Sequence, residues 1–438
     1  MISATAGALL AVSLSTTPLL QQKLTPEEAA VFSKSQMATT NMKLPELTRP
    51  VNILVMGVKV LTSDLEDETH PQLGYHALVD SFKGLSDTML LIRFDPANNK
   101  LKVLSIPRDT RTYVENRGMT KINDANYYGG PALSAKATSE LLGGVGIDRY
   151  VRVNVQGVEK LIDAMGGVSI YVPKDMKYQD DSQHLYINLK QGEQHLTGAQ
   201  ALQFLRFRYD ALGDIGRVQR QQMLIRAFME QALDVSTISK LPQVVSIIQS
   251  HIDTNLSLEE LVALVNFAAG IQRENVEMLM VPGEFSDPKE YRASYWLPDA
   301  TRLENLVSQH FDFGQDVWKF DNIDPKDLRI ALQDSNDNSD AIDRLVGNLN
   351  DGGFWNVKIS KPWTEPLKET KIVAQDGDIK SAEALQRSLG FGKVVVESTG
   401  YLESDITIQV GKDWLEKYNQ PTPSNVPVTE STPNSNKQ

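Results

Sequence analysis

Three short blocks of this chain concentrate its arginines and aspartates: SDT at 86–88, SIPRDT at 105–110 and RFRYDALGDIGRVQRQ at 206–221. Guanidinium forks match phosphate oxygens bidentately, and carboxylates hold hard divalent cations. These residue types together suit a multiply charged anion, a phosphate or pyrophosphate. In FLRFRY, Arg206 and Arg208 stand two apart, so on a strand they share one face while Leu205 and Phe207 take the other. After the DALGD turn, Arg217, Arg220 and Gln221 lie at i, i+3 and i+4 and share one face of a helix near its N-terminus. Free backbone N–H groups and the helix dipole favour anions there. The spacing alone leaves a second reading open, in which Asp210 and Asp214 neutralise the run Arg206 to Arg220 across solvated turns. Asp87 at a strand start, and Arg108 with Asp109 beyond a strand end, add to the ligand-site reading, because strand ends of α/β sheets commonly hold ligands.

The elements that must position these blocks follow from periodicity. NILVMGV (52–58) reads as a buried strand. TMLLIRF and KLKVLSI, joined by DPANNK with Pro96 at a turn position, read as an antiparallel hairpin. PALSAKATSELLGG reads as a helix ending at glycine, RYVRVNV as a strand, VEKLIDAMGG as a second helix with a glycine stop, and VSIYVP as a strand. TGAQ offers Thr197 and Gln200 as a capping box for a short helix. Strands alternating with helices from Val51 to about Phe313 predict one α/β domain, assigned to residues 50–315. Residues 326–415 repeat the pattern in the order β, α, β, β, α, β, which predicts a small two-layer α+β domain. No catalytic constellation is visible in it.

The ends read differently. Residues 1–22 hold an uncharged run of small and apolar residues, suited to a signal segment or a weak membrane anchor, but with no basic flank before it. A loosely packed tail is the alternative. Residues 23–49 are polar, with Thr25 capping an acidic first turn, and read as a spacer. Residues 416–438, rich in Pro, Ser, Thr and Asn, lack an apolar face and are expected to be disordered.

Composition narrows the chemistry. With 438 residues the chain can bury more than one core, and its 41% hydrophobic and 23% charged residues are ordinary for a globular protein. A net charge of −12 argues against broad nucleic-acid binding, which requires a dense basic surface. Zero cysteines remove disulfides, thiolate catalysis and cysteine-based zinc sites. The histidines, His70, His76, His184, His195, His251 and His310, show no metal-ligand spacing. The GG pairs at 129, 143 and 166 lack the flanking pattern of a phosphate loop and read as turns or helix stops.

SDTMLLIRFDP, VLSIPRDT, KINDANYYGGP, DAMGGVSIYVPKD, LTGAQALQFLRFRYD and GDIGRVQRQ stand in the order and spacing of the LytR-CpsA-Psr (LCP) family, which this chain therefore resembles. Residues 326–412 resemble the LytR C-terminal domain found in some members. The resemblance implies an αβα sandwich with a mixed central sheet, whose hydrophobic groove holds the tail of a polyprenyl (pyro)phosphate. It implies transfer of a glycopolymer from that carrier to peptidoglycan or another envelope acceptor, at the cell membrane, through an extracytoplasmic (periplasmic) domain on a single N-terminal anchor. A polyprenyl pyrophosphate hydrolase, a pyrophosphatase side activity and a non-catalytic lipid-binding or regulatory protein remain alternatives. The older family wording is transcriptional attenuator, yet no exposed basic recognition helix supports DNA binding.

Carried over motif by motif, Asp87 matches the aspartate associated with Mg2+ or Mn2+. Arg108, Arg206, Arg208, Arg217, Arg220 and Gln221 match pyrophosphate-binding groups, and Asp109 and Lys121 fall at the site edge. Two positions depart. Lys59 in MGVK stands where many members have a second metal-binding aspartate, and Leu85 precedes SDT where many have arginine. Lys59 could replace a metal charge directly, or Asp64 could approach from the following loop. The expected chemistry is phosphoryl transfer with Asp109 or Asp87 as proton acceptor, and with Arg108 and Arg217 stabilising charge.

Overall fold

The structure is a computed structural model of the chain. It describes residues 21–39, 45–58, 82, 84–181, 185–207, 214–232, 244, 247, 251–313 and 324–418. The first elements are a short helix α1 (Pro26–Ala29) and the paired strands β1 (Ala38–Thr39) and β2 (Glu46–Leu47). There follow β3 (Val51–Val58), β4 (Ser86–Asp95), β5 (Lys100–Ile106), β6 (Arg111–Val114), β7 (Gly118–Lys121), α2 (Asp124–Leu141), β8 (Arg149–Asn154) and α3 (Val155–Met165). Next come β9 (Val168–Val172), β10 (Met176–Asp180), β11 (Leu185–Leu189), β12 (Gly192–Leu196), α4 (Gly198–Arg206) and α5 (Asp214–Ala232). The first domain closes with β13 (Ile252–Thr254), α6 (Leu258–Gly270), β14 (Val276–Met280), β15 (Gly283–Phe285), β16 (Trp296–Pro298) and α7 (Ala300–Phe311).

The central sheet has the order β13-β8-β3-β4-β5-β14. It is mixed: β8 and β5 run parallel to their neighbours β3 and β14, while the β3–β4, β4–β5 and β13–β8 pairs are antiparallel. The period-2 alternation of each strand sends one set of side chains to each face. Leu54, Met56, Met89, Leu91, Leu104 and Ile106 join Ala132 and Ala135 of α2 and Leu306 and Phe311 of α7 in the largest core. Full burial of one of these leucine, isoleucine, methionine or phenylalanine side chains contributes about 1.5–3 kcal/mol. On the opposite face Val51 and Ile53 meet Leu261 and Leu264 of α6, and Leu101 and Met278 meet Ile225 and Met229 of α5. Helices on both faces make the expected αβα sandwich.

Local signals account for the ends of these elements. Asn98 N–H donates to Asp95 Oδ1 at 3.2 Å in the β4–β5 turn, where Pro96 was expected to mark a bend. Gly166 ends α3 with φ 94°, a left-handed conformation that costs glycine nothing. The helix read from PALSAKATSELL begins earlier, at Asp124, and passes a kink at Gly129–Gly130 before Pro131 restarts it.

The C-terminal domain contains β17 (Ile330–Asp334), α8 (Ser339–Asp351), β18 (Val357–Ile359), β19 (Lys371–Ala374), α9 (Ile379–Leu389), β20 (Lys393–Val395), β21 (Ile406–Val410) and α10 (Lys412–Tyr418). Its sheet has the order β18-β17-β21-β19-β20. Leu345 and Leu349 of α8, Leu385 of α9 and Trp414 of α10 cover one face, which gives the two layers that the sequence predicted. The chain beyond β20 runs beside β14: Met278 N–H donates to the Val396 carbonyl at 3.0 Å. An edge strand of the central sheet is thereby covered, which removes an aggregation-prone edge. Leu402 enters the main core of the first domain.

Three readings change. The spacer assigned to 23–49 is built into the fold, because Phe32 and Met37 are buried, and so is the end of the segment assigned to the anchor, where Gln22 N–H donates to Asp253 Oδ1 at 2.7 Å. Arg206 ends a helix rather than lying on a strand, since the Thr197 capping box propagates helix through FLR, and extended backbone begins only at Phe207. Residues 416–418, assigned to the tail, belong to α10, which runs to Tyr418. Residues 1–20 and 419–438, assigned to the anchor and the disordered tail, lie outside the described residues. Among the described residues no helix is long and apolar enough to cross a membrane.

Candidate functional site

The site forms where β3 and β5 end and β4 begins. Pro107 follows β5, and a tight turn redirects the chain: Thr110 N–H donates to the Pro107 carbonyl at 2.9 Å and its hydroxyl donates to the same oxygen at 2.6 Å. The Arg108 carbonyl accepts from Asn123 N–H at 3.2 Å, which ties the turn to the end of β7. Arg108 and Asp109 thus project from a pinned backbone beside Ser86 and Asp87, the first residues of β4.

Ion pairs join the side chains in a row. Arg108 Nη1 lies 2.5 Å from Asp87 Oδ1, and Arg108 Nε lies 3.3 Å from Asp109 Oδ2. Lys121 Nζ lies 2.7 Å from Asp109 Oδ1. Burial on its own disfavours the Arg108 cation, but Asp87 and Asp109 outweigh it and raise its pKa above the ordinary value. The guanidinium is therefore permanently charged and oriented by two carboxylates. Asp87 keeps 30% of its side chain exposed against 12% for Asp109, so Asp87 faces the opening and Asp109 lies deeper.

Helix α5 closes one side of the row. Gln221 Nε2 donates to the Asp87 carbonyl at 3.2 Å, attaching this helix to the strand that bears the aspartate. Arg220 is buried, donates through Nη2 to the Phe207 carbonyl at 2.5 Å, and stands 5.8 Å from the centroid of the Phe207 ring. It braces α5 against the end of α4 and supplies positive charge from behind. Arg206, half-buried, occupies the last turn of α4. Arg217 falls near the start of α5, as the spacing predicted, but its side chain, together with Arg208 and Lys59, lies outside the described residues.

The structure thus brings together Asp87, Arg108, Asp109, Lys121 and Gln221 directly, with Arg220 behind them. The sequence placed Lys121 only at the edge, but the β6–β7 hairpin folds it back onto Asp109, pairing Arg111 with Lys121 in register. Sequence reasoning also missed the buried carboxylate of Glu397, which reaches α5 from the C-terminal domain. Arg226 Nη1 lies 3.5 Å and Arg273 Nη2 2.9 Å from its oxygens. A lone Glu in KVVVES carries no local sign of such a partner.

For a divalent cation the donor set is small. Among the described residues no group of three or more histidines and carboxylates could hold a metal ion. Asp87, partly exposed, fits instead the habit of magnesium, which is commonly held by one or two carboxylates together with substrate phosphates.

The chain is similar to known proteins along most of its length. Residues 16–312 match the LytR_cpsA_psr family, and residues 327–414 match the domain described as LytR cell envelope-related transcriptional attenuator. The polyisoprenyl-teichoic acid–peptidoglycan teichoic acid transferase TagU of Bacillus cereus is 32% identical over 284 residues, which cover 64% of this chain and 84% of that protein. The transferase of the same name from Oceanobacillus iheyensis is 36% identical over 240 residues, 53% of this chain and 67% of that protein. In fold, the crystal structure of protein gbs0355 from Streptococcus agalactiae superposes with a TM-score of 0.51 at 23% identity, covering 62% of this chain and 91% of that one. With its ordered motifs, its αβα sandwich and its paired C-terminal domain, this chain belongs to the LytR-CpsA-Psr family.

Proposed function

We propose that this protein is an envelope glycopolymer transferase, moving a polymer from a polyprenyl-pyrophosphate carrier to peptidoglycan or a related glycan by phosphoryl transfer. The observation that carries the reading is the row Asp87–Arg108–Asp109–Lys121 at the strand ends, closed by the arginine-bearing helix α5. Its support is the naming of relatives as polyisoprenyl-teichoic acid–peptidoglycan teichoic acid transferases.

In this mechanism the acceptor hydroxyl oxygen attacks the sugar-linked phosphorus, and the P–O bond to the lipid phosphate breaks. Polyprenyl phosphate leaves with the bond's electron pair. Arg108, with Arg206, Arg208, Arg217 and Arg220, neutralises charge on the pyrophosphate and on the departing phosphate, where fixed donors act more strongly than in water. Asp109 Oδ2 takes the hydroxyl proton; its contact to Arg108 Nε is long, and a carboxylate oxygen has lone pairs for more than one partner. Lys121 and Arg108 hold that carboxylate in place. Asp87 would hold a Mg2+ or Mn2+ ion together with substrate phosphate oxygens, and the ion when bound supplies further charge neutralisation.

The lipid tail fits the sheet face beneath α5 and α6. Val55, Ile92, Phe94 and Val151 on that face, and Ile225, Met229 and Phe267 facing them, are only partly buried. An extracytoplasmic location and an N-terminal membrane anchor complete the reading. The test is transfer from a purified lipid-linked polymer to peptidoglycan strands by the full chain. Asp109→Asn is expected to slow transfer by about 10²–10⁴-fold, the usual contribution of a general base. Full activity in that variant would remove Asp109 from the role, and release of free polymer phosphate without an acceptor would make the protein a hydrolase.

A further inference from the structure

A cleft of about 670 Å³ lies on the outer side of the β6–β7 hairpin, between it, the end of α2 and the start of α7. Arg111, Tyr113, Glu140, Tyr291 and Glu304 line it, with Leu297 and Leu303 among its apolar residues. We propose that this cleft is the subsite for the acceptor, a neutral, polyhydroxylated glycan strand, and that it delivers the attacking hydroxyl to Asp109. The proposal rests on the transferase reading and specifies where its second substrate binds.

Continuity with the site is the first argument. Arg111 stands over the Tyr291 ring at 5.6 Å, the Tyr291 and Tyr295 rings meet edge-on with centroids 5.7 Å apart, and Lys121 Nζ stands over the Tyr295 ring at 5.8 Å. Lys121 in turn holds Asp109. An unbroken wall therefore runs from the cleft to the proton acceptor. Its base is rigid, because Trp296 N–H donates to the Asp109 carbonyl at 2.9 Å, and Thr110 and Trp296 form a parallel bridge. Trp296 is itself fully buried, and its indole N–H donates to the Val281 carbonyl at 3.0 Å.

Chemistry selects the occupant. Rings of tyrosine beside carboxylates and a guanidinium suit a sugar, whose apolar face stacks while its hydroxyls find acceptors and donors. Glu140 and Glu304 give the rim more negative than positive charge, which disfavours a phosphate-rich donor polymer and carries no penalty for a neutral strand. A hydrocarbon tail would leave the charged rim unsatisfied. The volume lies within the range of about 300–1,000 Å³ typical of small-ligand clefts.

The experiment titrates the purified full chain with a soluble β-1,4-linked N-acetylglucosamine oligosaccharide, which is uncharged, and measures retained polyprenyl phosphate in the same samples by mass spectrometry. Tyr291→Ala and Glu304→Gln are each expected to weaken oligosaccharide binding and raise the acceptor KM by about tenfold, with lipid retention unchanged. Glu304 is exposed, so its variant guards against a misfolded Tyr291→Ala. Unchanged oligosaccharide affinity in both variants overturns the proposal, as does loss of lipid in parallel. Variant-sensitive oligosaccharide binding without transfer to any acceptor would overturn the transferase reading and leave the cleft standing. Transfer that persists with oligosaccharide binding indifferent to both variants would do the reverse.

Discussion

Glu397 of the C-terminal domain accepts a charge-assisted hydrogen bond from Arg273 of the first domain at 2.9 Å, and the same carboxylate lies 3.5 Å from Arg226 on α5. Burial alone would raise the pKa of Glu397, but Arg226, Lys371 and Arg273 overcome it and lower it. Gln219, on the same helix, donates to the Gly400 carbonyl at 3.4 Å. The C-terminal domain therefore grips the helix that carries Arg217, Arg220 and Gln221.

Removing that carboxylate leaves Arg226 and Arg273 with the more exposed Glu230 as their shared acidic partner and leaves the buried side of the cluster uncompensated. Glu397→Gln is expected to destabilise the protein by about 2–3 kcal/mol, toward the low end for a broken buried pair because Arg273 is 42% exposed. Urea unfolding followed by tryptophan fluorescence measures it. An unchanged midpoint would mean that apolar contacts such as Leu402 hold the domains together without the ion pair.

Arg108→Ala is expected to lower transfer by about 10²–10³-fold, the usual effect of removing one preorganised donor from a developing charge. Arg108→Lys is expected to recover little of it, because a point ammonium cannot reach Asp87 and Asp109 at once as the guanidinium does. Single-turnover transfer assays separate the two variants, and equal activity of lysine and arginine would show that only net charge matters.

Glu277 supplies a pH dependence of stability. Burial pushes its pKa up, but hydrogen bonds from His310 at 3.0 Å and Lys100 at 2.6 Å prevail, and the carboxyl is held down at about 2. The folded pKa lies below the unfolded one, so the stabilisation is complete above about pH 4.5 and is lost as pH falls toward about 2. It amounts to something on the order of 3 kcal/mol. In Glu277→Gln that segment of the stability–pH curve should flatten; an identical slope in denaturation at pH 2 to 5 would contradict it.

Gly198 opens α4 against the backbone of α3. A Cβ at this position would sit 2.1 Å from the Glu159 carbonyl oxygen, so Gly198→Ala must push the two helices apart. The expected cost is about 1–3 kcal/mol, with lipid retention falling alongside because α4 leads to Arg206. Differential scanning calorimetry tests it, and a wild-type melting temperature would show that the helices yield freely.

Much of this molecule was legible in the chain itself. Alternation in NILVMGV, TMLLIRF and KLKVLSI specified buried strands, since a period of two on a half-apolar segment admits few other packings. The Thr197 capping box and the glycine after Met165 specified helix ends, because those signals act within a few residues. Ordered motifs by themselves point to Asp87, Arg108, Asp109, Lys121 and Gln221 as members of one site. FLRFRY was misread where two local signals competed, and the capped helix prevailed through Arg206 over the alternation that follows. Tertiary structure alone decided that Arg108 bridges two aspartates, that Lys121 folds back to Asp109, that Arg220 is a buried brace, and that Glu397 reaches across domains to the arginine helix. Those facts depend on contacts between residues far apart in sequence. No local propensity encodes them, because the energy of such a pair exists only once the chain has closed around it.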